Sequence, residues 1–423
     1  MSKRLIVLIL LVLLIGVNVS VAQEATEVPT EEAINPALAA QMAGLEQITQ
    51  TLRGLKAKAP VEHRFPTRQQ TIDYLKASYD REFPAEKFAQ LKQFYVALGL
   101  LPADIDLQSV YLGLLDSQVA GYYDPDTKTM NVIEPDAASQ GQPLSFTDQV
   151  IYVHEFTHAL QDQYFDLNKL LSSEGEDQPD QALAVTSLVE GDATASMTLY
   201  MQAVETKNPF AVLSMLVDGA QTGNLTLPAG VPPILSDELL FPYTDGLDFI
   251  LALNKSGGWD AINAAFRNPP TTSEQILHPE KYIAGEGAQT VTLADNSSAL
   301  GNGWKSVWDS SVGEYYLRQS LAVELSASDA AKAAAGWGGD HLRVYRNGDQ
   351  MASVLKIAWD TPDDERDFEY YYNQYANKHF SGNIDPFGCR QNSDGAVCVL
   401  VGDTATWVAS APTLAQANAV AGT

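Results

Sequence analysis

The chain has 423 residues, 45% hydrophobic and 19% charged, a globular composition that is too long for one average domain and unlike a disordered chain. Its formal net charge is −27, from 26 Lys and Arg against 53 Asp and Glu, which argues against nucleic acid and anionic lipid as partners. Two cysteines exclude a disulfide scaffold and a four-thiolate metal site.

The N-terminus reads as an export signal. Lys3 and Arg4 precede a 13-residue apolar run, Leu5 to Val17, and Ser20-Val21-Ala22 sets small residues ahead of Gln23. The run is short for a membrane span, which needs about 20 residues. Residues 1–22 are therefore expected to be a cleaved signal peptide, with a retained N-terminal anchor as the alternative. The expected location is secreted or extracytoplasmic, without stable membrane insertion after cleavage. Residues 23–33, polar and rich in Pro and Glu, are expected to form a flexible leader.

Residues 34–118 read as a helical segment. Thr67 and Gln70 make a capping-box pattern ahead of Ile72, Leu75 and Tyr79. Pro84 can open the next helix, where Phe88, Leu91, Phe94, Tyr95 and Leu98 form a core stripe. Residues 119–300 are expected to be the core. Two strand-like runs at 121–132 flank a Pro/Asp turn and predict a β-hairpin. A helix capped by Ser145 or Thr147 is expected to run to about Asp162, and another from about Gln181 to Val204. Ser172 to Asp180, between them, reads as a polar acidic loop. Phe241 to Tyr282 reads as helical, broken at Gly257-Gly258-Trp259 and Asn268-Pro269-Pro270. Residues 301–423 read as a mixed α/β lobe with strands near 342–346 and 352–359. Cys389 and Cys398 flank an Asn392-Ser393-Asp394-Gly395 turn. Export predicts that they bridge a hairpin, free buried thiols being the alternative.

The chemistry centres on His154-Glu155-Phe156-Thr157-His158. On a helix, residues i and i+4 share a face, so both imidazoles can address one ion. Glu155 lies beside them and can reach a water on that ion without being a ligand. One Zn²⁺ per chain is the expected cofactor. A catalytic zinc takes three protein ligands, and Glu190, in the apolar stretch Leu188-Val189-Glu190-Gly191-Asp192-Ala193, is the expected third. Asp192 is the competing third ligand, or else a partner of a ligand imidazole. Hydrolysis also needs a donor to the developing oxyanion, for which His278, Tyr243 and Tyr282 are candidates. His63, His341 and His379 have no recognisable partners. Glu174-Gly175-Glu176-Asp177 offers hard oxygen ligands for Ca²⁺, but its spacing matches no calcium motif and a solvated loop is the preferred reading.

His154-Glu155-x-x-His158 followed by a Glu-Gly pair on a later helix resembles the gluzincin metallopeptidases, which include thermolysin-like proteases and zinc aminopeptidases. The run His154 to Gln163, the Tyr122-Tyr123-Asp124-Pro125 hairpin and the segment Pro269 to Tyr282 are also similar to a family of exported bacterial proteins. The resemblance implies zinc on His154, His158 and Glu190, with Glu155 as general base. It also implies that the 121–132 hairpin is an edge element beside the cleft, able to pair with extended peptide. Thr194 stands where thermolysin-like members place an Asp, so the Glu-Gly pair is closer to the aminopeptidase style. No glycine-rich segment for recognising a free amino terminus precedes it.

The expected fold is thus α+β, mostly helical. A zincin-like core would hold an antiparallel edge hairpin and two metal-bearing helices, followed by the mixed C-terminal lobe. The expected function is a secreted zinc metallopeptidase acting on peptide or protein. The alternatives are a non-catalytic exported binding protein of the same fold and a zinc amidase cleaving cell-wall cross-links.

Overall fold

A computed structural model describes residues 35–82, 85–118, 121–133, 143–172, 178–207, 230–380, 388–393, 395–402 and 405–422. The expected signal peptide, the leader and the acidic loop at 174–177 lie outside the described residues.

The fold is α+β and mostly helical. In chain order the described elements begin with α1 (Pro36–Arg53), β1 (Glu62–Arg64), α2 (Arg68–Glu82), α3 (Ala85–Ala97) and α4 (Leu107–Gln118). The hairpin strands β2 (Gly121–Asp124) and β3 (Thr129–Val132) follow, then α5 (Phe146–Phe165), α6 (Leu167–Ser172), α7 (Pro179–Lys207) and α8 (Pro233–Arg267). After them come α9 (Ser273–Leu277), α10 (Pro279–Ala284), β4 (Lys305–Ser310), α11 (Gly313–Ala322) and α12 (Ala327–Ala334). The chain continues through β5 (Trp337–Asn347), β6 (Gln350–Trp359), α13 (Pro362–His379), β7 (Cys389–Gln391), β8 (Ala396–Val401), β9 (Ala405–Ala411) and α14 (Leu414–Ala421).

The chain divides into two compact units. One takes in Met1–Pro84, Gln108–Glu174 and Val185–Pro269; the other takes in Ala85–Leu107, Gly175–Ala184 and Pro270–Thr423. These groupings cut across the segments expected from the sequence. Residues 85–107 do not join the other N-terminal helices. Instead, Phe94 of α3 packs its ring 5.6 Å from Trp308 and 5.0 Å from Tyr316, far downstream.

In the first unit, α5 is the central element. Ser145 caps it, its hydroxyl accepting from Asp148 N at 3.2 Å, while the Asp148 carboxylate accepts from Ser145 N at 3.2 Å. Both ends of that capping box satisfy amides that the first helical turn leaves free. Every residue from Val150 to Asp162 is buried, so α5 is covered on all sides rather than amphipathic. A small sheet packs on it in the order β1-β3-β2, with β1 parallel and β2 antiparallel to β3. Asp124 closes the hairpin by accepting from Asp126 N at 2.9 Å and Thr127 N at 3.3 Å, an Asx turn. The capping box at the start of α2 also forms, with Gln70 N to the Thr67 hydroxyl at 3.2 Å and Thr67 N to Gln70 Oε1 at 2.8 Å.

Helix α8 starts earlier than Phe241, and its break falls at Gly257 and Gly258, where Gly258 takes a positive φ of 64°. The loop expected from Ser172 to Asp180 ends sooner than its polarity suggests. Asp180 lies in the first turn of α7, buried, accepting from Ser273 N at 3.2 Å.

The second unit carries a six-stranded sheet in the order β4-β5-β6-β9-β8-β7, antiparallel at every pairing. Strand β5 begins inside the glycine-rich stretch because a bulge between Trp337 and Gly339 lets the ladder continue through it. Cys389 and Cys398 pair directly across β7 and β8 and form a disulfide. No helix among the described residues is long and apolar enough to cross a membrane.

Three histidines read as unpartnered from the sequence have partners supplied by distant segments. His63 Nε2 lies 2.7 Å from the Tyr152 hydroxyl, which itself donates to Glu46 Oε1 at 3.0 Å. His341 pairs with Asp309, and His379 Nδ1 with Glu324 Oε1 at 3.3 Å.

Candidate metal centre

Helices α5 and α7 bring His154, His158 and Glu190 together in the first unit, with one ligand atom of each within 4.8 Å of the others. The one-turn spacing on α5 sets the two imidazoles edge to face, 4.7 Å between ring centres. Glu190 Oε2 lies 3.0 Å from His154 Nε2 and 3.6 Å from His158 Nε2. His154 and Glu190 are each 1% exposed.

A glycine sets the approach of the next helix. A Cβ on Gly191 would fall 2.3 Å from the carbonyl oxygen of Gly246 on α8, and a Cβ on Gly246 would fall 2.5 Å from Ser187 O. Two bare Cα atoms therefore meet where α7 crosses α8. That crossing carries Tyr243, whose ring stacks on His154 with centres 6.0 Å apart.

Glu155 points toward the hairpin. Its Oε2 accepts the main-chain N–H of Tyr123 on β2 at 2.8 Å, and its Oε1 is buried without a hydrogen-bond partner. Burial pushes its pKa up, against the pull of His158, His154 and the Tyr123 amide. The Tyr123 hydroxyl donates to Asp162 Oδ2 at 2.7 Å, a second tie between hairpin and helix. Asp192 does not join the three-residue cluster. Its carboxylate accepts from Arg53 Nε and, at 2.9 Å, from Gln161 Nε2. Gln161 Oε1 lies 2.8 Å from His158 Nδ1, so Asp192 reaches the imidazole through an intermediary.

The donor set suits a metal ion. Two imidazole nitrogens and a carboxylate oxygen converge, while His154 Nδ1 and Glu190 Oε1 are buried without hydrogen-bond partners. In the metal-free cluster, burial pulls His158 down, but the charge and hydrogen bond of Glu190 outweigh it and lift the imidazole to about 9. Burial pushes Glu190 up, but His158 and His154 outweigh that and hold its carboxyl at about 2. A cation replaces the need for that proton.

The remaining oxyanion candidates belong to the second unit. His278 is half-buried, its Nε2 paired with the buried Glu314 carboxylate at 3.0 Å. The bond to Glu314 raises its pKa, against burial. Tyr282 is half-buried on α10. The sequence reading missed Gln161, Arg53 and Gly246. Gln161 has a local signal, since i+3 from His158 lies on the same helical face. Arg53 has none, being 139 residues from Asp192.

A family described as a domain of unknown function (DUF8575) matches residues 305–421, a stretch within the second unit. No curated protein matches the chain. Among solved structures, one described as a "putative hydrolase with a novel fold" from Chloroflexus aurantiacus is 20% identical. The match covers 59% of this chain and 88% of that one with a TM-score of 0.36, too distant to carry an inference about fold or function.

Proposed function

We propose that the protein is an extracytoplasmic zinc-dependent peptidase with a zincin-like core. The observation that carries this reading is the convergence of His154, His158 and Glu190 from two helices, with Glu155 one residue along from the first ligand. Two imidazoles and one carboxylate would hold zinc with three protein ligands and leave room for a water, the pattern of a catalytic rather than a structural site. When bound, zinc supplies Lewis acidity and lowers the pKa of water toward about 7.

The chain's own groups supply the rest. The tie of Oε2 to the Tyr123 amide orients Glu155 and leaves Oε1 to accept a proton from the attacking water. Burial raises the Glu155 pKa, which suits a group that takes that proton and then passes it to the leaving amine. Tyr243, stacked on His154, is the candidate to donate to the developing oxyanion. β2 is the last strand in the described order β1-β3-β2, and an extended peptide would lie along its outer side, pairing through backbone groups other than the Tyr123 amide that Glu155 takes.

The test is Glu155→Gln in the mature protein. It should retain about one zinc per chain by elemental mass spectrometry while hydrolysis falls by about 10²–10⁴-fold. Cleavage at the wild-type rate would refute this mechanism. Any amide carbonyl fits the same chemistry, so protein, a peptide library and peptidoglycan are compared as substrates. Activity abolished by a chelator and restored by Zn²⁺ separates the enzyme from a non-catalytic binding protein.

A further inference from the structure

We infer that Gln161, Asp192 and Arg53 form a buried relay that fixes the ring orientation and tautomer of His158 for metal binding, a reading that rests on the zinc site proposed above.

The direction of each hydrogen bond follows from what its partner can do. Gln161 Nε2 lies 3.0 Å from Val189 O and 2.9 Å from Asp192 Oδ2. Both are acceptors, so the amide nitrogen must sit on that side. Gln161 Oε1 can then only accept, and the group 2.8 Å away is His158 Nδ1. The proton of a neutral His158 is therefore on Nδ1. The lone pair is on Nε2, the atom that faces Glu190 Oε2 at 3.6 Å. A lone pair facing a carboxylate oxygen in a dry site is repulsive until a cation lies between them.

Asp192 anchors the amide, and Arg53 anchors Asp192. All three side chains are fully buried. The Arg53 Nε donates to the Asp192 carboxylate at 2.7–2.8 Å, and Nη2 donates to Asn263 Oδ1 at 2.9 Å. Its guanidinium lies 4.6 Å over the Trp259 ring. The C-terminal residue of α1 is thus locked by α8, and the lock passes through Asp192 on α7 to Gln161 on α5. The ring of His158 is held by four helices, although only the last link touches it. A merely structural salt bridge would stitch α1 to α7 and leave the metal affinity unchanged. The relay reading requires that affinity to depend on it.

The experiment measures zinc dissociation constants by chelator competition, together with Co²⁺ absorption spectra, on the full mature chain. The thermal midpoint of the metal-free form serves as the folding control. Gln161→Leu should weaken zinc binding by about 10–100-fold, and Arg53→Met should weaken it in the same direction from a residue that touches no ligand. The paired exchange Gln161→Glu with Asp192→Asn keeps an acceptor for His158 and a donor between the two side chains, giving up only the donor to Val189 O. It should recover most of the lost affinity and the wild-type Co²⁺ spectrum. Gln161→Leu that is less stable but binds zinc as tightly as wild type would overturn the relay and leave the zinc site standing. Wild type that binds no zinc would overturn both. If Gln161→Leu fails to fold, the exchange decides: wild-type-like zinc affinity supports the relay, and a loss of more than about tenfold refutes it.

Discussion

His158 has two competing claims on its second nitrogen. Without metal it holds a proton beside the ionised Glu190, and burial, which opposes any charge there, loses to the attraction between them. Zinc must displace that proton. Zinc affinity should therefore rise about tenfold per pH unit while His158 is protonated, and level off above about 9, where the imidazole is neutral on its own. Chelator competition at pH 6, 7, 8 and 9 checks the slope; a flat profile would mean that His158 is not a ligand. The same pair stabilises the metal-free fold, with opposite limits. The share of His158 is complete below its ordinary 6.5 and is lost as pH rises through about 9. The share of Glu190 is complete above its ordinary 4.5 and is lost as pH falls toward about 2.

Among elements, the crossing of α7 and α8 controls the site most directly. Gly191→Ala forces a Cβ against a main-chain carbonyl that has nowhere to rotate. It should cost about 1–3 kcal/mol or more, measured by denaturant unfolding, and weaken zinc binding because Tyr243 and Glu190 flank the joint. An unchanged midpoint would show that the helices part without cost. The hairpin and α5 were legible in the sequence because their signals are local: an Asx turn, a capping box and a one-turn histidine spacing. The place of Glu190 beside the two imidazoles was legible because an acidic residue among apolar neighbours is conspicuous. The close contact at Gly246 was not, since nothing near it in sequence points to Gly191. The parallel pairing of β1 with β3 is hidden for the same reason: a three-residue strand has no readable period.

At the scale of the whole molecule, the chain passes back and forth between its two units before committing to the second at Pro270. Sequence order therefore does not give packing order. The clearest case is Phe94, 0% exposed on α3, with its ring against Tyr316 and Trp308. Phe94→Ala should destabilise by about 3–5 kcal/mol, and Trp308 fluorescence should shift with the cavity. A loss under about 1 kcal/mol would mean that α3 is peripheral to this core. The disulfide in the same unit agrees with an oxidising compartment, where such a bond forms and persists.

The oxygen that orients Glu155 is held by a main-chain amide, and that has a genetic consequence. No codon change short of proline at 123 can delete the donor. A mutational scan would grade Tyr123 by its phenol, which serves Asp162, and would pass over the amide that serves Glu155. The orientation of Glu155 is thus inherited through the shape of a hairpin rather than through the side chain at 123. Changes at other hairpin side chains leave that donor in place as long as the turn at Asp124 holds its form.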